Sequence, residues 1–299
     1  KCSDQLSTPL SYVYSQCMEH GYFPPDWLRA FITPVYKKGD PTCPLNYRPI
    51  ALTCTVCKIM ESIIKDQLLS YLLRKNLISR NQHGFLSKHS TTTNLLESTH
   101  DWVVEFSSSN NIDVVFIDFS RAFDSIVFSK LLAKLEHYGI NGKLLNFISA
   151  FLHNRGQSVV LENNFSSVAD VLSGVPQGSV LGPLLFLVFV NDVSSVCIGK
   201  TNLKLFSDDV KLYISFKIDE SNCCSLQKSI HLLSSWANAW QLAINISKCS
   251  VLPIRNRYNS SVSHPYFING TFSLKLHKDL VYFSVVLFHA NSLLSEKHL

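Results

Sequence analysis

The sequence is poor in charge. Asp, Glu, Lys and Arg make up 16% of its 299 residues, against 46% hydrophobic, and no run of Lys and Arg gathers the net +5 into a basic tail. Such a balance permits a polyanionic partner without demonstrating one. The apolar content speaks against a disordered chain and suffices for one large domain or two small ones with a substantial core. Long hydrophobic runs are also missing. The longest, Val180–Val190, is interrupted by Gly182 and Pro183 and is too short to span a bilayer. No signal peptide is visible, so no membrane partner is expected. Internal repeats and low-complexity tracts are absent too, which argues against a solenoid or a linker array.

Paired cysteine spacing is lacking as well. The nine cysteines, an odd number, are Cys2, Cys17, Cys43, Cys54, Cys57, Cys197, Cys223, Cys224 and Cys249, with no repeated interval. They read as reduced thiols of an intracellular protein, nuclear or cytoplasmic rather than secreted. Cys54 and Cys57 have metal-ligand spacing, but a zinc site needs a second pair, and no matching Cys or His pair stands out. The first residue is Lys1, and the chain stops abruptly at Leu299. We therefore expect a piece of a longer polypeptide whose other parts hold other activities.

What is present is periodicity. Val56, Met60, Ile63, Ile64 and Leu72 recur at helical spacing, with Lys and Glu on the opposite side. A second helix is expected from Ser90 or Thr91 to about Phe106, and a third from Phe128 to Tyr138 with Gly139 as its C-terminal cap. Between them Val114–Ile117 is a β-branched and aromatic run that ends at Asp118 and reads as a buried strand. Leu203–Phe206 and Val210–Ile214 form two further strand-forming runs joined by Ser207, Asp208 and Asp209, a tight hairpin. Adjacent carboxylates repel each other and add nothing to a turn, so something cationic is expected there. Leu226, Ile230, Leu233, Trp236 and Trp240 give a helix to lie against the sheet. This mixed order of strands and helices argues for an α+β fold with no independent-domain linker before about residue 255.

Asp118, Asp208 and Asp209 are the residues whose chemistry is most telling. Nucleotidyl transfer needs an activated 3′-hydroxyl and a neutralised pyrophosphate, and two Mg²⁺ ions held by a few carboxylates provide both. A strand end and a hairpin tip in one sheet can bring these three together, although each Asp taken singly could be a surface carboxylate at a turn.

The surrounding residues carry a resemblance. Ile117-Asp118-Phe119-Ser120-Arg121-Ala122-Phe123-Asp124 and Phe206-Ser207-Asp208-Asp209 resemble, in order, the first palm motif and the aromatic-x-Asp-Asp hairpin of the reverse transcriptases of non-long-terminal-repeat retrotransposons. The run Ser173 to Phe186, Ser-Gly-Val-Pro-Gln-Gly-Ser-Val-Leu-Gly-Pro-Leu-Leu-Phe, is similar to the motif that supports template and incoming nucleotide in that family. Gly174 and Gly178 would let backbone approach a nucleic-acid strand, Gln177 could hydrogen-bond, and Pro183 would start the apolar helix behind. The resemblance extends from about residue 21 to about residue 255.

It implies a right-hand polymerase. The fingers would occupy residues 1–112 and the palm 113–255, an antiparallel sheet backed by helices, with a fingers-side insertion at about 128–171. Residues 256–299 would begin an incomplete thumb. The implied activity is an RNA-directed DNA polymerase using two Mg²⁺ ions, with Mn²⁺ as a substitute, and Asp118, Asp208 and Asp209 as metal ligands. Its partners would be an RNA template, a DNA primer, deoxynucleoside triphosphates and the other domains of a retroelement polyprotein. Lys37 and Arg48 inherit triphosphate contacts, a role suited to an ammonium and a guanidinium. Phe119, Gln177 and Gly178 inherit places at the nucleotide, and Lys248 that of an acid toward pyrophosphate. Phe123 inherits an aromatic gate against a 2′-hydroxyl, the reading the neighbouring motif favours; without that motif it would read as a core aromatic anchoring the strand-to-helix turn.

Three departures stand out. Leu86 follows Gly84-Phe85 where relatives usually carry Arg, Ser207 stands where Ala is commoner, and a Gly expected near Asp279-Leu280 is missing. A decayed element remnant that keeps the fold and at most binds nucleic acid is therefore the alternative, with an RNA-copying palm enzyme as a third reading.

Overall fold

The computed structural model describes residues 3–217, 223–255, 264–270 and 272–276. In chain order its elements are α1 (Ser3–His20), β1 (Arg29–Tyr36), β2 (Tyr47–Leu52), α2 (Thr55–Arg74), α3 (Thr91–Ser107), β3 (Asn111–Ile117), α4 (Phe128–His137), α5 (Gly142–Leu152), β4 (Arg155–Leu161), β5 (Asn164–Phe165), β6 (Ala169–Val171), α6 (Gly182–Val190), β7 (Asn202–Phe206), β8 (Asp209–Phe216), α7 (Cys223–Trp240) and β9 (Ser250–Ile254), followed by the short strands β10 (Phe267–Ile268), β11 (Phe272–Ser273) and β12 (Lys275–Leu276). The fold is α+β. It divides into two compact units, each made from two stretches of chain: residues 1–78 with 122–189, and 79–121 with 190–299. The chain passes between the units in the irregular stretch between α2 and α3, in the turn after β3 and at the last residues of α6. The expected thumb and the departure at Asp279-Leu280 lie almost wholly outside the described residues.

In the first unit, β2 and β1 form an antiparallel hairpin and β1 continues in parallel to β4, which also pairs with β5 and β6. Helix α6 is apolar along its whole length and Leu184 to Val190 are all buried, as an all-round hydrophobic helix must be. Its ends are satisfied by side chains from other helices. Glu61 of α2 accepts the amides of Val180 and Leu181 at 2.7 and 3.0 Å just ahead of the helix, and Lys134 of α4 donates to the carbonyl of Phe189 near its end. An anion at the start and a cation at the finish suit both the orphan backbone groups and the helix dipole. This corrects the reading of α2, which put Glu on the polar side: Glu61 is fully buried, whereas Ile63 is exposed. Burial pushes the Glu61 carboxyl above its usual range.

In the second unit the sheet order is β12-β9-β3-β8-β7, so β3 lies at its centre, antiparallel to β8 on one side and β9 on the other. Ile112 and Val114 of β3, Tyr213 of β8, and Leu252 and Ile254 of β9 share a face and pack on Trp102 of α3. Ser90 caps α3 as expected, in a reciprocal capping box with Thr93. Gly139, at φ +81°, closes α4 in the first unit.

Candidate active site

Register brings the acidic residues together. Ile117, the last residue of β3, pairs with Val210 of β8. Asp118 is one step beyond Ile117 and Asp209 one step before Val210, so the two face each other at the end of the sheet. The hairpin turn is tighter than the sequence suggests. Phe206 pairs directly with Asp209, which leaves only Ser207 and Asp208 between β7 and β8, with Ser207 at φ +59°. Asp209 therefore belongs to a strand and Asp208 to the turn.

The expected cation is Lys248. Its ammonium lies 3.2 and 3.4 Å from the two oxygens of Asp118, with the carboxylate 29% and the lysine 50% exposed. It sits at the end of a 3₁₀ turn, Ile246–Lys248, that leads into β9. Two backbone bonds hold the residues just before that turn to the segment after β3: the amide of Asn245 donates to the Asp118 carbonyl at 2.8 Å, and that of Ser120 to the Ala243 carbonyl at 2.7 Å. Burial, and secondarily the charge of Asp118, raises the pKa of Asp208. Asp209 is raised by desolvation first and then by Asp208 and Asp118. Lys248 opposes both shifts without cancelling them. Behind the hairpin, Lys211 donates to Asn94 and Ser98 of α3, and burial lowers its ammonium to about 8.

Among the described residues no group of three or more His, Cys, Asp or Glu side chains is placed to hold a metal ion by itself. Mg²⁺ does not require one, since it keeps several waters and takes one or two carboxylates together with substrate phosphates. Partly desolvated carboxylates that also repel one another fit such an ion, because a dication would favour the ionised form that desolvation, and after it neighbouring charge, disfavours at Asp208 and Asp209.

Phe119 follows Asp118, but its ring is 4% exposed and lies 6.2 Å from that of Trp236 in α7. The ring packs in the core of the second unit. Sequence reasoning overlooked Asp113, fully buried in mid-β3. Arg255 meets its carboxylate at 2.6 Å and the Tyr266 hydroxyl donates to it at 2.7 Å. The signal available was a lone acid within an otherwise apolar strand.

The remaining candidates belong to the first unit. Lys37 and Arg48 are both exposed on the β1–β2 hairpin; the Lys37 amide bonds the Asn46 carbonyl, and Arg48 stands opposite Val35. Phe123 stacks on Phe186 of α6, with centroids 4.1 Å apart and planes 12° from parallel. Gln177 donates from Nε2 to Asp124 at 2.7 Å, while its carbonyl accepts the Ala51 amide of β2. Both glycines of this loop meet the protein's own backbone. A Cβ on Gly178, at φ +139°, would lie 2.2 Å from the Ala51 carbonyl oxygen, and one on Gly174, at φ +86°, 2.6 Å from the Asp124 Cα. The close approach expected toward nucleic acid is thus, in the first place, an internal one. Among the described residues no helix is long and apolar enough to cross a membrane.

Residues 35–263 match the family model described as reverse transcriptase (RNA-dependent DNA polymerase). The chain is 30% identical over 259 residues to a probable RNA-directed DNA polymerase from transposon BS of Drosophila melanogaster, covering 80% of this chain and 27% of that one. It is also 30% identical over 264 residues to the RNA-directed DNA polymerase from mobile element jockey of the same species, covering 86% and 29%. The chain thus spans under a third of the length of these curated relatives. Among solved structures, telomerase from Candida albicans matches with a TM-score of 0.58 at 13% identity, over 79% of this chain and 42% of that one, a likeness of fold. With the family model covering most of its length, and with relatives from non-long-terminal-repeat elements, the chain belongs to the reverse transcriptase (RNA-dependent DNA polymerase) family.

Proposed function

We propose that the chain is the polymerase module of a retrotransposon reverse transcriptase, an RNA-directed DNA polymerase that extends a DNA primer along an RNA template. The observation that carries this reading is the placement of Asp118 opposite Asp209 across β3 and β8, with Asp208 in the adjoining turn and Lys248 bonded to Asp118. In this reading the second unit provides the palm and the β1–β2 hairpin of the first provides part of the fingers. Asp118, Asp208 and Asp209, completed by water and substrate phosphates, would hold Mg²⁺, or Mn²⁺ in its place. When bound, a pair of such ions lowers the pKa of the primer 3′-hydroxyl and neutralises the pyrophosphate it displaces. Lys248, in contact with Asp118, would serve as the acid toward the leaving pyrophosphate. Exposed Lys37 and Arg48 neutralise the triphosphate by single and bidentate contacts. The bulk of Phe123 sets the sugar choice, and Gln177 and Gly178 contact the nucleotide. Template and primer are gripped mainly through phosphates, so binding weakens as salt rises.

The test is Mg²⁺-dependent primer extension on an RNA template, comparing the natural chain with the Asp208→Asn, Asp209→Asn variant. Extension by the natural chain alone supports the reading. Equal extension by both removes it, and a folded natural chain that extends nothing is the decayed remnant.

A further inference from the structure

The turn that carries Asp208 is strained, because Ser207 adopts a left-handed backbone conformation that ordinarily favours glycine. It is held by a side chain distant in sequence. Gln82 is 2% exposed, and its Oε1 accepts two backbone amides, Gly84 at 2.7 Å and Ser207 at 2.9 Å, while its Nε2 reaches the Ser207 carbonyl at 3.4 Å. The primary amide thus pairs with both backbone groups of Ser207 as a neighbouring strand would. Its own segment is locked in place by backbone bonds on either side, from the Leu205 amide to the Asn81 carbonyl at 2.8 Å and from the His83 amide to the Leu205 carbonyl at 2.9 Å. Gly84 allows the contact, since a Cβ there would lie 2.4 Å from the Ser207 nitrogen. The sequence singles out Gln82-His83-Gly84-Phe85 only for the missing Arg at Leu86. The contacts above give the segment another use.

We propose that Gln82 is a positioning residue for the Asp208 and Asp209 carboxylates, fixing the Ser207-Asp208 turn in its strained form. The consequence for catalysis rests on the polymerase reading; the consequence for the turn does not. The test uses the full chain and site-resolved amide hydrogen exchange together with primer extension, on the natural protein, Gln82→Leu and Gln82→Glu. Glu keeps the oxygen that accepts both amides, whereas Leu keeps only the volume.

In the natural protein the Ser207 amide is expected to exchange as slowly as its neighbours Leu205 and His83. In Gln82→Leu it exchanges at least about tenfold faster, while Leu205 and His83 stay protected by backbone partners. In Gln82→Glu protection of Ser207 is retained. Extension by Gln82→Leu falls roughly ten- to hundredfold in kcat, with the KM for deoxynucleotide within about twofold, because displaced carboxylates slow the chemistry more than they weaken nucleotide binding. A Ser207 amide that exchanges freely in the natural protein overturns the proposal whether or not either variant folds. So does an unchanged kcat in Gln82→Leu while Asp208→Asn, Asp209→Asn is inactive. Should that carboxylate variant polymerise normally, the polymerase reading fails, and the exchange result still decides the role of Gln82 at the turn.

Discussion

Neutralising the hairpin carboxylates should make the metal-free protein more stable, and adding Mg²⁺ should reverse the order. Asp208 and Asp209 have pKa values raised in the folded chain, by partial desolvation first and by neighbouring carboxylates after it. For an acid so perturbed, the fold favours the protonated form. The stability tied to that preference is fully present below the unfolded carboxylate value of about 4 and is lost as pH rises through the folded value. At pH 7, without metal, these groups therefore oppose folding, and the Asp208→Asn, Asp209→Asn protein should be the more stable.

The size follows from geometry. Residues opposed across an antiparallel pair lie about 5 Å apart, and two unit charges there repel by about 3 kcal/mol at an effective dielectric near 20. Asp209 is exposed and Lys248 lies beside Asp118, so solvent and the ammonium reduce this to about 1 kcal/mol, or 2–4 °C in Tm for a protein of roughly this size. Mg²⁺ at about ten times its dissociation constant adds about 1.4 kcal/mol to the chain that binds it. Thermal denaturation at pH 7 with chelator should rank the variant above the natural chain, and denaturation with Mg²⁺ should invert that ranking. Near pH 4 the metal-free difference should shrink toward zero. A variant less stable than the natural chain without metal would refute the electrostatic reasoning; an equal Mg²⁺ shift in both proteins would refute the ligand assignment.

Gly178→Ala should cost about 3 kcal/mol, read as a fall in denaturant midpoint, because its Cβ would overlap the Ala51 carbonyl at a backbone angle side chains avoid; a loss under about 0.5 kcal/mol would mean that β2 gives way freely. Arg255→Leu, which strands the buried Asp113 carboxylate, should cost about 3–5 kcal/mol, whereas Tyr266→Phe should cost about 1 kcal/mol, both from equilibrium unfolding. Phe123→Ala should relax discrimination against ribonucleotides, measured as the ratio of kcat/KM for deoxy and ribo substrates; an unchanged ratio would leave the ring as no more than the Phe186 partner it is in the fold.

What was legible in the sequence was local. The β-branched run before Asp118, the Ser90 cap and the apolar stripe of α4 each declare themselves within a few residues, and β3, α3 and α4 lie where those signals point. What escaped depends on partners far along the chain. Nothing near Glu61 announces that the amides of Val180 and Leu181 will need an acceptor, so helical periodicity assigns it to solvent. Nothing near Phe119 announces Trp236, and nothing near Gln82 announces a strained Ser207. Gly178 was legible as a glycine that had to be one, but its reason is the Ala51 carbonyl, supplied by a strand more than a hundred residues earlier. The hairpin was recognised at once and its turn mistaken by one residue, because pairing register, which decides whether Asp209 belongs to the strand, is a relation between two strands and not a property of either.

Two carboxylates on β3 show how the sheet separates stability from chemistry. Asp113, mid-strand and fully buried, is matched at 2.6 Å by Arg255 and at 2.7 Å by Tyr266, as a charge that cannot reach water must be. Asp118, at the end of the same strand, has one ammonium at 3.2 Å and faces two further acids whose pKa values remain raised despite it. An arrangement serving only the fold would have matched the second group as it matched the first, since both are acids on the same central strand. The acids whose pKa values stay raised lie at the sheet end, where desolvation adds to neighbouring negative charge, and under the proposed reading that is the point at which a cation would be held.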